Sequence, residues 1–136
     1  KEFSAHTVVY FVVDDLVYLK RGGRISALTA AFGSLLGIKP MISIMPDGSL
    51  QSVGKVRGSK KVFGEFIRLM KEHNCEVKEH RIEVLQADCP DVGDAFVQEL
   101  KNTFGDDIKT DYQVVGPVIA SHCGPGTLGL IFYGDK

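Results

Sequence analysis

The chain is poor in cysteine, has no surplus of either charge and contains no long apolar run, and each shortage narrows what it can be. Cys75, Cys89 and Cys123 form no Cys-x-x-Cys pair and cannot all be bridged internally, which fits a reducing compartment better than a disulfide scaffold. Sixteen basic against seventeen acidic residues leave a formal net charge of -1. No global field therefore draws the protein to nucleic acid or to an anionic membrane, and any electrostatic recognition must be local. No apolar stretch approaches the roughly 20 residues of a membrane-spanning helix. The opening residues Lys1-Glu2-Phe3-Ser4 lack the apolar region of a signal peptide, so a cytoplasmic location is expected. An initiator methionine is also missing, and the early run Val8-Val9-Tyr10-Phe11-Val12-Val13 points to a piece of something longer. A site shared between two domains would then be only half contained in these residues.

What is present is the composition of one ordinary domain: 136 residues, 44% hydrophobic and 24% charged, enough to bury a core. Strands and helices alternate without repeats, low complexity or an internal linker. Residues 7–13 form a short β-branched apolar run and read as a buried strand. Asp14-Asp15 can cap a short helical turn that stops at Gly22-Gly23. Residues 27–37 are small or apolar on nearly every face, as in a helix buried at an interface or beside a ligand. Pro40 is expected to end that helix, 41–45 to form a strand, and Pro46-Asp47-Gly48-Ser49 to turn the chain back through 50–57 as a hairpin.

Ser59 is the expected N-cap of the clearest helix, with Val62, Phe63, Phe66, Ile67 and Met70 on one stripe. A strand at 80–86 and a helix at 91–104, with Val92, Ala95, Phe96, Leu100 and Phe104 inward, follow, and Gly105 closes the helix. Strands near 110–116 and 128–133 complete the chain. The fold class predicted is α+β, an α/β sandwich of one mixed β-sheet with packed helices, over a single domain 1–136.

Two loops carry the chemistry. Ser121-His122-Cys123-Gly124-Pro125-Gly126-Thr127 lies between two apolar runs, and its Gly-Pro-Gly step forces a sharp turn beside a titratable imidazole. Gly22-Gly23-Arg24-Ile25-Ser26 sets a permanent cation in a similar context. Together they suggest a small anion held by a histidine and an arginine.

At these residues the chain resembles the C-terminal half of the DegV family. The resemblance rests on four blocks in the family's order. They are Asp15-Leu16-Val17-Tyr18-Leu19-Lys20-Arg21-Gly22-Gly23-Arg24-Ile25-Ser26, Leu36-Gly37-Ile38-Lys39-Pro40-Met41-Ile42, Asp47-Gly48 with Lys55-Val56-Arg57, and Gly116-Pro117-Val118-Ile119-Ala120-Ser121-His122-Cys123-Gly124-Pro125-Gly126. The resemblance implies a two-domain cytosolic protein. A Rossmann-like N-terminal domain, absent from this chain, and the present domain hold one long-chain fatty acid such as palmitate in the cleft between them. It also implies a link to a fatty acid kinase in some members, no catalysis by the binding subunit, and no cofactor or metal. His122 matches the histidine that contacts the fatty acid carboxylate, and Arg24 an arginine of the head-group region. Arg57 matches an arginine associated with docking of the kinase. Cys123 stands where threonine is frequent in the family.

Elementary energetics ask for the same arrangement. A carboxylate buried without partners costs several kcal/mol or more, whereas charge-assisted bonds return about 1.5 to 3 kcal/mol each. Burying the tail contributes roughly 0.8 kcal/mol per methylene, and Leu28, Phe32, Leu35 and Leu36 are the expected wall in this half.

Blander readings compete. A lone loop histidine is more often structural than a ligand contact, and Arg24 would serve equally in a surface ion pair. Lys55, Arg57, Lys60 and Lys61 would ordinarily be a solvated face, although cations are not especially favourable near a helix N-terminus, a mild mismatch that lends partner docking slight support. Gly124-Pro125-Gly126-Thr127-Leu128-Gly129 matches G-x-G-x-x-G formally, yet it leads into a strand and not a helix. His73, Cys75, His80 and Cys89 lack a zinc spacing. The alternative function is a small cysteine-dependent hydrolase or transferase using Cys123 and His122, although adjacent residues seldom meet as nucleophile and base.

Overall fold

Alternating and continuous apolar runs sort the chain into strands that are buried on one face or on both. A computed structural model describes residues 7–13, 38–45, 47–75, 77–116, 124 and 126–134. The elements are β1 (Thr7–Val12), β2 (Ile38–Ile44), β3 (Leu50–Arg57), α1 (Ser59–Glu72), β4 (Ile82–Ala87), α2 (Pro90–Phe104), β5 (Thr110–Val114) and β6 (Thr127–Tyr133). The strands form one sheet in the order β3-β2-β1-β6-β4-β5. Every neighbouring pair is antiparallel except β4 and β5, which are parallel and joined through α2. This is the mixed α+β sheet that the hairpin and the helix–strand alternation predict.

Both described helices lie on one face. Val8, Tyr10 and Val12 of β1, Leu128, Leu130 and Phe132 of β6, and Ile82 and Val84 of β4 meet Val62, Phe66, Met70, Phe96 and Leu100 in a single core. The ring of Phe96 lies 5.2 Å from that of Phe63 and 5.4 Å from that of Phe66, tying the two helices together. The alternate residues Val9 and Phe11 of β1 and Val13 just after it are buried as well, as is Ile42 beside them on β2. A strand covered on both faces needs apolar residues at every position, which is why residues 7–13 show no alternation.

The structure departs from expectation at several positions, among them three element boundaries and one inward helix face. Gly58, with φ 88°, takes the cap position of α1, and Ser59 is the first helical residue. The chain leaves β3 through a left-handed conformation that glycine adopts at no steric cost. β2 starts at Ile38, so Pro40 lies inside the strand instead of ahead of it. Its missing N–H is tolerated because the register with β1 reaches only Met41, so Pro40 has a partner on the β3 side alone. In α2, Ala95 is exposed and Gly93 is buried. A Cβ on Gly93 would sit 2.2 Å from the Tyr112 hydroxyl, so the ring of β5 occupies the space that a side chain would need. β5 ends at Val114, two residues short of the expected strand.

The predicted turn after β2 is present at its described positions. The Asp47 carboxylate accepts hydrogen bonds from the Ser49 amide and hydroxyl, and these hold its pKa below the usual carboxylate value. Gly48 takes φ 87°. Among the described residues no helix is long and apolar enough to cross a membrane.

Candidate functional site

Strand direction gathers the candidate loops at one end of the sheet. β1, β3, β4 and β5 all finish at this rim, and β2 and β6 start from it, as the registers Val12 with Leu128, Ile38 with Arg57, Ala87 with Thr127 and Gln86 with Val114 show. The 14–37 connection leaves from the end of β1 and returns at the start of β2. The connection carrying residues 117–123 leaves after β5 and returns into β6. The ends of both connections therefore lie on one rim, and residues 13 and 126 flank the ends of the neighbouring central strands β1 and β6.

The expected head-group residues His122 and Arg24 lie outside the described residues. So do Gly22, Gly23, Pro125, Cys123 and the expected tail wall of Leu28, Phe32, Leu35 and Leu36. Gly124 and Gly126 are described: their φ values of 86° and 88° are both left-handed, a conformation that glycine accepts freely. Arg57 and Lys55 are two residues apart on the edge strand β3, and Lys60 and Lys61 follow in the first turn of α1; all four are exposed. No acidic residue accompanies them in that turn. The structure thus places the four cations along one continuous stretch, Arg57 at the rim itself.

The loop's return into β6 is tied to the end of β4. The Gly126 amide donates to the Ala87 carbonyl at 2.7 Å, and the Val115 amide to the Gln86 carbonyl at 2.9 Å. Thr127 Oγ1 donates to the Gly124 carbonyl at 2.8 Å. Cys89 Sγ donates to the Thr127 carbonyl at 3.4 Å, and the Cys89 amide donates to Gln86 Oε1 at 2.7 Å. Asp88, between these partners, has φ 54°, a left-handed value that aspartate tolerates better than most residues. Sequence reasoning passed over Gln86 and Thr127 in this role. The available signal was Gln86 itself, a polar residue continuing the inward series Ile82, Val84.

His73 and His80 both lie against aromatic side chains. His73 Nε2 lies 2.6 Å from the Tyr10 hydroxyl, and its ring packs against Phe132; the ring of His80 stacks on Tyr133 at 3.9 Å. Burial, then the nearby Glu72 carboxylate, raises the Tyr10 pKa, and Arg68 opposes them.

Comparison with known proteins agrees with the fold. The family described as "Uncharacterised protein, DegV family" matches residues 1–135, and the chain belongs to that family. A DegV domain-containing protein from Clostridium perfringens is 39% identical over 127 residues, 93% of this chain and 43% of that protein. A fatty-acid-binding DegV family protein from Thermus thermophilus superposes with a TM-score of 0.82 at 34% identity, over 95% of this chain and 46% of the other. DegV, a fatty acid binding protein from Bacillus subtilis, gives 0.76 at 29% identity, over 96% and 45%. The chain spans a little under half the length of the curated relatives that it matches.

Proposed function

We propose that this domain supplies one wall of a long-chain fatty acid site, with His122 and Arg24 meeting the carboxylate and Leu28, Phe32, Leu35 and Leu36 lining the tail. A Rossmann-like N-terminal domain of the same protein supplies the opposite wall, and the protein works in the cytoplasm. The domain contributes binding and no chemistry of its own. The observation that carries this reading is topological: the described ends of both candidate connections lie on one rim, where a single head group is within reach of both. The fatty-acid-binding relatives at 34% and 29% identity support the choice of ligand.

The energetic logic is a division of labour. The tail contributes most of the affinity, at roughly 0.8 kcal/mol per buried methylene, and the head group fixes register and orientation. A carboxylate held at a rim can be offered to another protein while its tail stays sheltered. Lys55, Arg57, Lys60 and Lys61 are exposed beside that rim, and a fatty acid kinase subunit docking there would reach the carboxylate without contacting a membrane.

The test uses the full-length protein purified from bacteria. Organic extraction followed by mass spectrometry is expected to yield fatty acid in near-equal molar amount. His122→Ala should weaken palmitate binding by about tenfold or more, the equivalent of one charge-assisted bond, while Cys123→Ser should leave it unchanged. Equal retention by His122→Ala would overturn the head-group assignment. A hydrolase activity abolished by Cys123→Ser would favour the thiol enzyme instead.

A further inference from the structure

Buried polar side chains are costly unless hydrogen-bonded, so where they stand tells what a fold must hold in place. Among the described residues the buried polar side chains are Ser43, Gln86 and Thr127, and two of these three lie together at the end of β4 and the start of β6. Gln86 occupies an inward position, where Ile82 and Val84 before it are apolar, and an apolar residue there would fill the core without needing a partner. Neither Gln86 nor Thr127 is required by the sheet, whose ladder is made by backbone groups.

Their bonds run in series toward one turn. Gln86 Oε1 accepts from the Cys89 amide, Cys89 Sγ donates to the Thr127 carbonyl, and Thr127 Oγ1 donates to the Gly124 carbonyl. Backbone bonds from Val115 to Gln86 and from Gly126 to Ala87 fasten both ends of the same connection to β4. Gly124 and Gly126 both take positive φ, which glycine adopts at no steric cost. The Thr127 hydroxyl holds the Gly124 carbonyl from the strand side.

We infer that Gln86, Cys89 and Thr127 form a clamp that positions the loop bearing His122, making them positioning residues for recognition of the carboxylate. The inference rests on the head-group reading above. Thr127 is the strongest link, being buried and bonded through oxygen at 2.8 Å, while the thiol of Cys89 is a weak donor.

The test measures binding of two probes by the full-length protein: palmitate, and hexadecanol, which has the same tail length and no carboxylate. Thr127→Val keeps the side-chain shape and removes the hydroxyl. It should lower palmitate affinity about tenfold, the scale of losing one buried hydrogen bond, and leave hexadecanol unchanged; Thr127→Ser should restore palmitate binding. Cys89→Ala should produce the same selective loss at about twofold, and it reports on the clamp even if the valine variant folds poorly. An equal loss for both probes means that the residues serve the fold alone and overturns the inference, as does no loss for either. His122→Ala separates the two levels: if it spares the preference for palmitate, the head-group reading falls and the clamp with it. If it abolishes that preference while Thr127→Val does not, only the clamp falls.

Discussion

Gly93 and Tyr112 show how one residue sets the seat of another. The Tyr112 hydroxyl donates to the Pro90 carbonyl at 3.1 Å across the bare backbone of Gly93. Burial, followed by the neighbouring Asp94, pushes its pKa up to about 12. Alanine at 93 would ordinarily favour a helix by about 0.8 to 1 kcal/mol, but here its Cβ displaces the ring. Gly93→Ala is expected to destabilise the domain by about 1 to 2 kcal/mol net of that gain. In a Tyr112→Ala background the same substitution should become stabilising. Urea unfolding of the two single variants and the double variant closes the cycle, and additive effects would refute the coupling.

Helix α1 separates what is visible on a surface from what holds an element down. Arg68 pairs with Glu65 and Glu72 one turn to either side, and the Glu65 pKa is lowered chiefly by its hydrogen bond from Arg68. These are exposed i,i+3 and i,i+4 pairs, worth at most about 0.5 kcal/mol each. Phe66, fully buried against Phe96, belongs to the stripe that attaches the helix to the sheet. Phe66→Ala should therefore cost about 3 to 5 kcal/mol, and Arg68→Ala less than about 1 kcal/mol. Chemical denaturation monitored by far-UV circular dichroism compares the two, and similar losses would mean that surface charge matters more here than burial. The same helix was legible from its spacing, because a 3.6-residue period of apolar side chains records the face that must leave water. Its cap was not: Gly58 is chosen by the angle at which β3 must turn, which no local pattern encodes.

At the scale of the whole molecule the chain is about half as long as the relatives it matches, and the proposed site is shared. A fatty acid laid on one wall exposes much of its tail, losing roughly 0.8 kcal/mol for every methylene left in water. The 136-residue chain alone is therefore expected to bind palmitate weakly or not at all, and the proposed two-domain protein is expected to bind it one to one. Titration calorimetry on both decides the matter, and tight stoichiometric binding by the single domain would contradict the shared cleft.

By itself the sequence determined the described strands, the two described helices and most of their apolar faces, because periodicity and β-branched runs act through neighbours a few residues apart. It also marked Gly124 and Gly126 as a turn and carried the ordered blocks by which the family is recognised. Tertiary structure alone decided that the ends of two connections far apart in the chain share one rim. Only the strand order β3-β2-β1-β6-β4-β5 and its registers could do this. The same holds for Gln86, Cys89 and Thr127, whose bonds join residues up to 38 positions apart. Such pairings depend on how strands align across the sheet, and that alignment is chosen by burial of the whole core and not by any segment within it.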